Sequence, residues 1–294
     1  MTISLRAVVA FLVFLLASHQ SDGAAQTSPL MRGEGAGLPI EIFAEDGIEW
    51  QQERSVVVAR GNARAIRGDV EVIADVLSAY YREAATGESQ IWRVEAEGHV
   101  RIVTPTDTAY ADKGTYDVDS RIVVLQPGGR DAEPVRVVGK SGDITAQEQM
   151  EFWEEKQMFV ARGAARALQG DRTLSADVLV AYMERTAAGE DRIERVEAFE
   201  DVVVQTPRET VSADHGVYRV TDGVVSMVGA VKITRGPNQL NGCSAEVNLN
   251  TGVSKLFGCA EGSQQGRVEG LIHPREAQSD GGAAPSPVAP ATRR

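Results

Sequence analysis

A chain of 294 residues that is 43% hydrophobic and 24% charged has the composition of an ordinary globular protein, so burying a sizeable core is feasible. Its formal net charge of −12, with no basic stripe along the chain, argues against a nucleic-acid binder, because phosphates demand clustered Lys and Arg. Length alone would allow two domains, but all-β architectures often exceed 200 residues as one unit, and one extended domain is favoured.

Residues 1–25 read as a secretory signal peptide. Arg6 supplies the positive n-region, Ala7 to Ala17 an apolar run of 11 residues, and Gly23-Ala24-Ala25 a small-residue cleavage site. The run is shorter than the roughly 20 apolar residues needed to cross a bilayer, so cleavage and export are expected, with a retained anchor as the alternative. Residues 26–39 form a Gly-rich flexible linker. Its Gly33-x-Gly35-x-Gly37 spacing lacks a preceding strand and is not a nucleotide fingerprint.

From residue 40 the chain is organised by duplication. Residues 48–126 and 150–228 are similar without a gap at a displacement of 102 positions. Val58-Ala59-Arg60-Gly61 recurs as Val160-Ala161-Arg162-Gly163, Arg93-Val94-Glu95-Ala96 as Arg195-Val196-Glu197-Ala198, and Ala111-Asp112-x-Gly114-x-Tyr116 as Ala213-Asp214-x-Gly216-x-Tyr218. Such repeats imply stacked, similar units sharing one continuous core. A smaller unit, an Ala usually followed by an acidic residue with an aromatic five or six positions on, starts at Ala44, Ala74, Ala111, Ala146, Ala176 and Ala213. A degenerate copy without the aromatic starts at Ala245.

Between these units lie runs that alternate with period two around a central Gly. Val57-Ala59-Gly61-Ala63-Ala65, Val94-Ala96-Gly98-Val100-Ile102, Phe159-Ala161-Gly163-Ala165-Ala167 and Val225-Met227-Gly229-Val231-Ile233 each form one apolar face opposite polar residues. This is the pattern of strands with one buried and one wet face, and the internal Gly marks a bend or close backbone approach. The segment 189–199 is rich in helix formers, but its counterpart at 89–96 leads directly into a strand. Helix content is therefore expected to be close to nil.

Antiparallel strands with one apolar face must close on themselves or on a second sheet. The inward positions Ala63, Ala65, Ala165 and Ala167 are small, which is compatible with a groove for acyl chains and equally with two sheets packed closely together. Chemistry is sparse. His19, His99, His215 and His273 have no metal-ligand spacing, and Val138-Gly139-Lys140-Ser141 lacks the upstream Gly of a phosphate loop. The recurring Asp75, Asp112, Asp177 and Asp214 are read as strand-end or turn carboxylates, because an active site needs two carboxylates in different environments. No enzyme activity, cofactor or metal is expected.

Cys243 and Cys259 lie equidistant from Thr251, a turn centre, and in an oxidising compartment a cross-strand disulfide is expected; two free buried thiols are the alternative. Residues 275–294 form a Pro/Ala-rich tail expected to be disordered.

Taken in order, the Gly-centred strands, as in Gly98-His99-Val100-Arg101-Ile102 and Gly229-Ala230-Val231-Lys232-Ile233, the Ala-Asp-x-x-x-Tyr elements and the terminal Gly266-Arg267-Val268-Glu269-Gly270-Leu271-Ile272-His273-Pro274 resemble the LptA/OstA family of periplasmic lipopolysaccharide transport proteins. The resemblance covers about residues 40–274. It implies an all-β fold: an extended, twisted, slightly open antiparallel β-jelly roll built from the tandem repeats, with an apolar interior groove. It further implies a periplasmic, non-enzymatic carrier that binds the acyl chains of lipopolysaccharide and moves it from inner to outer membrane. LptC-like and LptD-like jelly rolls would be its partners through edge-strand pairing, and an end-to-end homo-oligomer is a further implied assembly. The candidate edges are Ile40–Trp50 and Arg267–Ile272. The apolar lining is expected from Val57, Val100, Ile102, Phe159, Val202, Val204, Val231 and Ile233, which share parity on equivalent strands.

Glu200 departs from the pattern by standing where the other strands carry Gly, which leaves open whether that strand bends as its neighbours do. Three rival readings remain: an LptC-like membrane-anchored component of the same pathway, an exported β scaffold with a filled interior, and a polysaccharide-acting enzyme on a parallel β-helix.

Overall fold

A computed structural model describes residues 40–83, 89–129, 131–139, 142–185, 191–248, 250–251, 253–259 and 267–273. The expected signal peptide, the linker and the tail 275–294 lie outside the described residues. Eighteen strands join in one antiparallel sheet, and among the described residues the helical content is a single 3-10 turn at Gln52–Arg54. The helix-former segment from Asp191 onward is strand, as its repeat counterpart requires.

The long strands β3 (Val56–Arg67), β4 (Val70–Glu83), β5 (Ser89–Val103) and β6 (Asp107–Asp117) form a meander, as do β11 (Met158–Gln169), β12 (Arg172–Arg185), β13 (Asp191–Gln205), β14 (Thr210–Arg219), β15 (Val224–Arg235) and β16 (Asn238–Asn248). The remaining strands are half-length and work in pairs, each pair spanning one full strand of its neighbour. β1 (Glu41–Phe43) and β2 (Gly47–Gln51) pair with the two halves of β3. β7 (Ile122–Gln126) and β8 (Val135–Gly139) pair with β6, β9 (Gly142–Ala146) and β10 (Gln149–Trp153) pair with β11, and the two split strands pair with each other. β17 (Val253–Phe257) and β18 (Glu269–Leu271) close the series on β16. The result is a stack of fourteen levels, each antiparallel to the next, in which, among the described residues, β1/β2 and β17/β18 have a neighbour on one side only.

Every long strand changes register at its middle. Arg60 pairs with Val76 but Ala63 with Ala74, so Gly61 and Asn62 together oppose Asp75. Equivalent shifts fall at Gly98-His99, Gly163-Ala164, Glu200-Asp201 and Gly229-Ala230. At each, two successive residues take positive φ, for example 76° at Gly98 and 48° at His99. An extra residue bends a strand. Aligned across the stack, these bulges make a corner that folds each level into two halves, and the halves become two layers facing one apolar interior.

The corner explains the alanines. Ala59, Ala63, Ala96, Ala161, Ala165 and Ala198 sit within two residues of a bulge and are all buried in the core, where the inside of a sharp bend has no room for larger side chains. Space there is short: a Cβ added at Gly114 would lie 3.3 Å from Cδ2 of Leu125, a tight contact, and would touch Cγ1 of Val100, 3.5 Å away on the far half of the preceding strand.

The corner also explains the repeated carboxylates, which are not at strand ends. Asp75, Asp112 and Asp214 occupy the middle of β4, β6 and β14 on the outer face, opposite the bulge of the strand before. Each leans over the glycine at the next strand's bend: Gly98, Gly128 and Gly229. The Gly128 N–H donates to Oδ2 of Asp112 at 2.6 Å, and Nδ1 of His99 lies 2.8 Å from Oδ2 of Asp75.

Glu200 does not abolish the bend. Its φ is 61°, that of Asp201 is 49°, and Phe199 and Val202 show the same register shift against β14. What changes is the carboxylate: with a side chain present at 200, Oδ1 of Asp177 lies 3.5 Å from the Ala164 N–H on the preceding strand.

Cys243 and Cys259 form the expected disulfide, with Cα atoms 5.0 Å apart. They are not directly opposite one another, since Ser244 pairs with Phe257 and the register therefore sets Gly258 across from Cys243. Val228 pairs with Ser244 and Val231 with Gly242, which places Cys243 opposite the Gly229-Ala230 bulge, the slot that the aspartates fill elsewhere. The last copy of the Ala-Asp unit is thus Gly242-Cys243, and not the degenerate one expected at Ala245.

Candidate functional site

The interior is one uninterrupted apolar cluster reaching from Ala59 on β3 to Val247 on β16. It contains Val100, Ile102, Val202, Val204, Val231 and Ile233, all buried, and Phe159 packs against it half-buried. Val57 is half-buried and lies outside the cluster. It pairs with Trp50 of β2, at the end of the stack, where no further level among the described residues covers it. At the equivalent place on β15, with neighbours on both sides, Val225 is part of the core.

Period-two reading missed Leu77, Leu174, Leu179, Val211 and Tyr218, all in the cluster. These lie on the Ala-Asp strands, where two successive residues at the corner face outward, Asp75-Val76 on β4 and Asp214-His215 on β14, so that the inward phase shifts by one. On the Gly strands the two bulge residues lie between inward positions of equal parity, so Ala59 and Ala63 stay in phase. The register shift separates the aromatics as well. Tyr218 is buried in the core, whereas the hydroxyl of Tyr80 donates to Glu95 at 2.9 Å and Tyr182 lies beneath the Arg195 guanidinium at 4.1 Å.

The two layers meet closely. A void of about 10 Å³ remains between them, lined by Leu174, Val202 and Val204 from one side of the corner and by Ala198, Tyr218 and Met227 from the other. That is roughly the minimum for a single water. At this site the small inward residues serve close packing.

On the outer surface, the polar groups of the described residues bond across and along strands. Glu151 is the clearest case. Its buried carboxylate accepts from Nε of Arg162, Nε1 of Trp153 and Nε2 of Gln149, each at 2.7 Å. Burial pushes its pKa up, but these three donors outweigh it and hold the carboxyl below the usual glutamate range. Hydrogen bonding to Asp75, reinforced by that carboxylate's charge, raises the pKa of His99 on the exposed corner. Among the described residues no group of three His, Cys, Asp or Glu side chains could hold a metal ion.

The family model described as LptA/(LptD N-terminal domain) LPS transport protein matches residues 43–130 and 143–253. The chain belongs to this LPS transport family. The two matched segments fall on the two repeats, and the break between them contains β8, where the first repeat hands over to the second. The chain is also similar to an uncharacterised protein, R00383, of Rhizobium meliloti (strain 1021), 21% identical over 138 residues that make up 45% of this chain and 72% of that one. A crystal structure of LptH from Pseudomonas aeruginosa, titled the LptA-homologous periplasmic component of the lipopolysaccharide transport device, matches at 12% identity and a TM-score of 0.20. The match covers 81% of this chain and 96% of that one. Assignment to the LPS transport family rests on the two matched segments.

Proposed function

We propose that this protein is a periplasmic carrier that shields the acyl chains of lipopolysaccharide between its two layers while the lipid passes from inner to outer membrane. The observation that carries this reading is the single apolar interior running through successive levels, with an edge strand at each end of the described residues through which another jelly roll can continue it. Related jelly rolls anchored in the inner membrane (LptC-like) and the outer membrane (LptD-like) are the partners of such edges, joined by strand addition. Parting the layers gives up contacts among alanines and valines. Each lipid methylene that takes their place contributes about 0.8 kcal/mol, so several acyl chains offset the loss. With a net charge of −12 the protein has little to offer an anionic headgroup, and affinity resides in acyl burial.

The small interior void favours one rival, a filled exported scaffold that binds no lipid. In-cell photocrosslinking separates the two. A photoreactive residue at Ile102 or Val204, both buried, is expected to capture lipopolysaccharide, while the exposed Arg101 is not. Absence of adducts at both interior positions in folded, exported protein would establish the scaffold.

A further inference from the structure

The two repeats share a backbone but not an outer surface. Beside the corner, the strand pairings set one outward residue of each level in line with the next. In the first repeat this row reads Val76, Glu97, Lys113 and Gln126, and in the second it reads Val178, Phe199, His215 and Val228. At a displacement of 102 residues, three exposed polar side chains, Glu97, Lys113 and Gln126, are thus matched by Phe199, His215 and Val228. The second row runs on through Ser244 to Phe257. The rings of Phe199 and His215 stack at 4.7 Å, and Val228 and Phe257 are 46% and 45% exposed. Nε2 of His215 is buried and has no hydrogen-bond partner among the described residues. Five strand steps, roughly 24 Å, separate Val178 from Phe257, so the second repeat carries an apolar stripe along the stack where the first carries a polar row. The fold itself does not call for this stripe, since the same bulged strands form in the first repeat without it.

The charges bordering the row differ in the same sense. In the first repeat Nδ1 of His99 lies against Asp75, and Asp112 accepts from the Gly128 N–H. In the second, Glu200-Asp201 stands in place of Gly98-His99, so the corner beside the stripe carries Asp177, Glu200, Asp201 and Asp214 with no cation interleaved. Among the described residues none of these four carboxylates forms an ion pair, and they do not gather into a group of three that could hold a metal ion. Glu200 also keeps a left-handed φ of 61° at a place where Gly61, Gly98, Gly163 and Gly229 occupy the other bulges. A strained residue retained where glycine would relieve it points to a role outside folding.

We infer that this stripe is a docking surface for a cationic amphipathic segment of another polypeptide, with apolar side chains on Phe199, His215 and Val228 and Lys or Arg on the corner carboxylates. The rings and valines supply contact area at low conformational cost, and the carboxylates select the partner's sign and orient it. The net charge of −12 on the whole chain adds to the attraction, and the same field repels an anionic membrane surface or a nucleic acid. The stripe faces outward, so the inference does not depend on whether lipid enters the interior.

The test pairs the full chain with a fluorescent synthetic peptide of about 16 residues, built from Leu, Trp and Lys with its apolar residues on one face and long enough as a helix to follow the stripe. Anisotropy measures affinity, and amide chemical shifts of the unsubstituted protein show where the peptide sits, with the largest changes expected at Phe199, His215 and Val228. Exchanging the stripe for the residues the first repeat already carries, Phe199→Glu, His215→Lys and Val228→Gln in one chain, is expected to weaken binding roughly tenfold. Exchanging the corner in the same way, Glu200→Gly with Asp201→His, is expected to weaken it about three- to fivefold and to flatten its salt dependence. That second variant should also melt higher, and a chain that folds more stably yet binds less well separates docking from a structural role. Shift changes confined to other surfaces, or unchanged affinity in the stripe variant, would overturn the inference. So would equal binding of a Lys peptide without Leu or Trp, which would reduce the effect to attraction between a basic peptide and an acidic protein. Tighter binding of a peptide with Glu in place of Lys would overturn the partner's chemistry.

Discussion

The carboxylate of Asp75 fills the space in which a side chain at Gly98 would begin, one strand away on the outer face of the corner. The two residues are 23 positions apart in sequence, and the relationship recurs between Asp214 and Gly229. Gly98 also has φ of 76°. Gly98→Ala therefore meets both a steric conflict with Asp75 and the cost of a left-handed conformation. It is expected to lower unfolding free energy by about 2 kcal/mol or more, read from urea denaturation. Adding Asp75→Ala in the same chain removes the clash but not the backbone strain, so it should recover only part of that loss.

Glu200 supports the converse experiment. It adopts φ of 61° without being glycine, beside the level that carries Asp177. Glu200→Gly relieves the strain and removes a carboxylate from an acidic corner, and is expected to stabilise the protein by about 1 kcal/mol. A neutral or destabilising result in thermal melting would mean that Glu200 has a contact worth more than its strained backbone costs.

The disulfide closes a loop with a sequence separation of 16 residues. Constraint of the unfolded chain by a loop of this size contributes about 3 kcal/mol. Cys243→Ser with Cys259→Ser is expected to lose that amount. Hydrogen exchange should speed first in β17, which among the described residues is held to the stack by β16 alone.

Acid should weaken the second repeat through Glu151. Its folded pKa lies below the ordinary value of 4.5, so the folded state holds this proton less tightly than the unfolded chain does. The resulting stability is present above about pH 4.5 and is lost as pH falls through the folded pKa. Glu151→Gln is expected to cost about 1–2 kcal/mol at pH 7, from three weakened charge-assisted hydrogen bonds, and progressively less toward pH 3. Paired urea titrations at the two pH values measure the difference.

How much of this was legible beforehand depended on what the repeat could carry. All-β character, antiparallel stacking, the strand assignment of 191–199 and the disulfide were all readable, because alternation on the Gly strands survives the bulge and the 102-residue displacement corrects local propensity. The inward positions on the Ala-Asp strands were not, since the two outward residues at each corner shift the phase, and a strict period of two assigns Leu77 or Leu179 to the wet face. The meaning of Asp75 and Asp214 was hidden for a related reason. Their partners, Gly98 and Gly229, lie on the next strand, and only the register brings them together. Gly242-Cys243 went unrecognised as the last Ala-Asp unit because a thiol stands where the carboxylate belongs, and composition gives no hint that the two share a slot.

The fourteen antiparallel levels have a metric consequence. Neighbouring strands lie about 4.8 Å apart, so the stack is a ruler roughly 60 Å long, and one 102-residue repeat is six divisions of it, or about 29 Å. Six is even, so inserting or deleting a whole repeat changes the reach of the protein while leaving the direction and chemistry of both terminal strands as they were. Copying one stretch of sequence is thus a way to lengthen the stack without redesigning either of its ends.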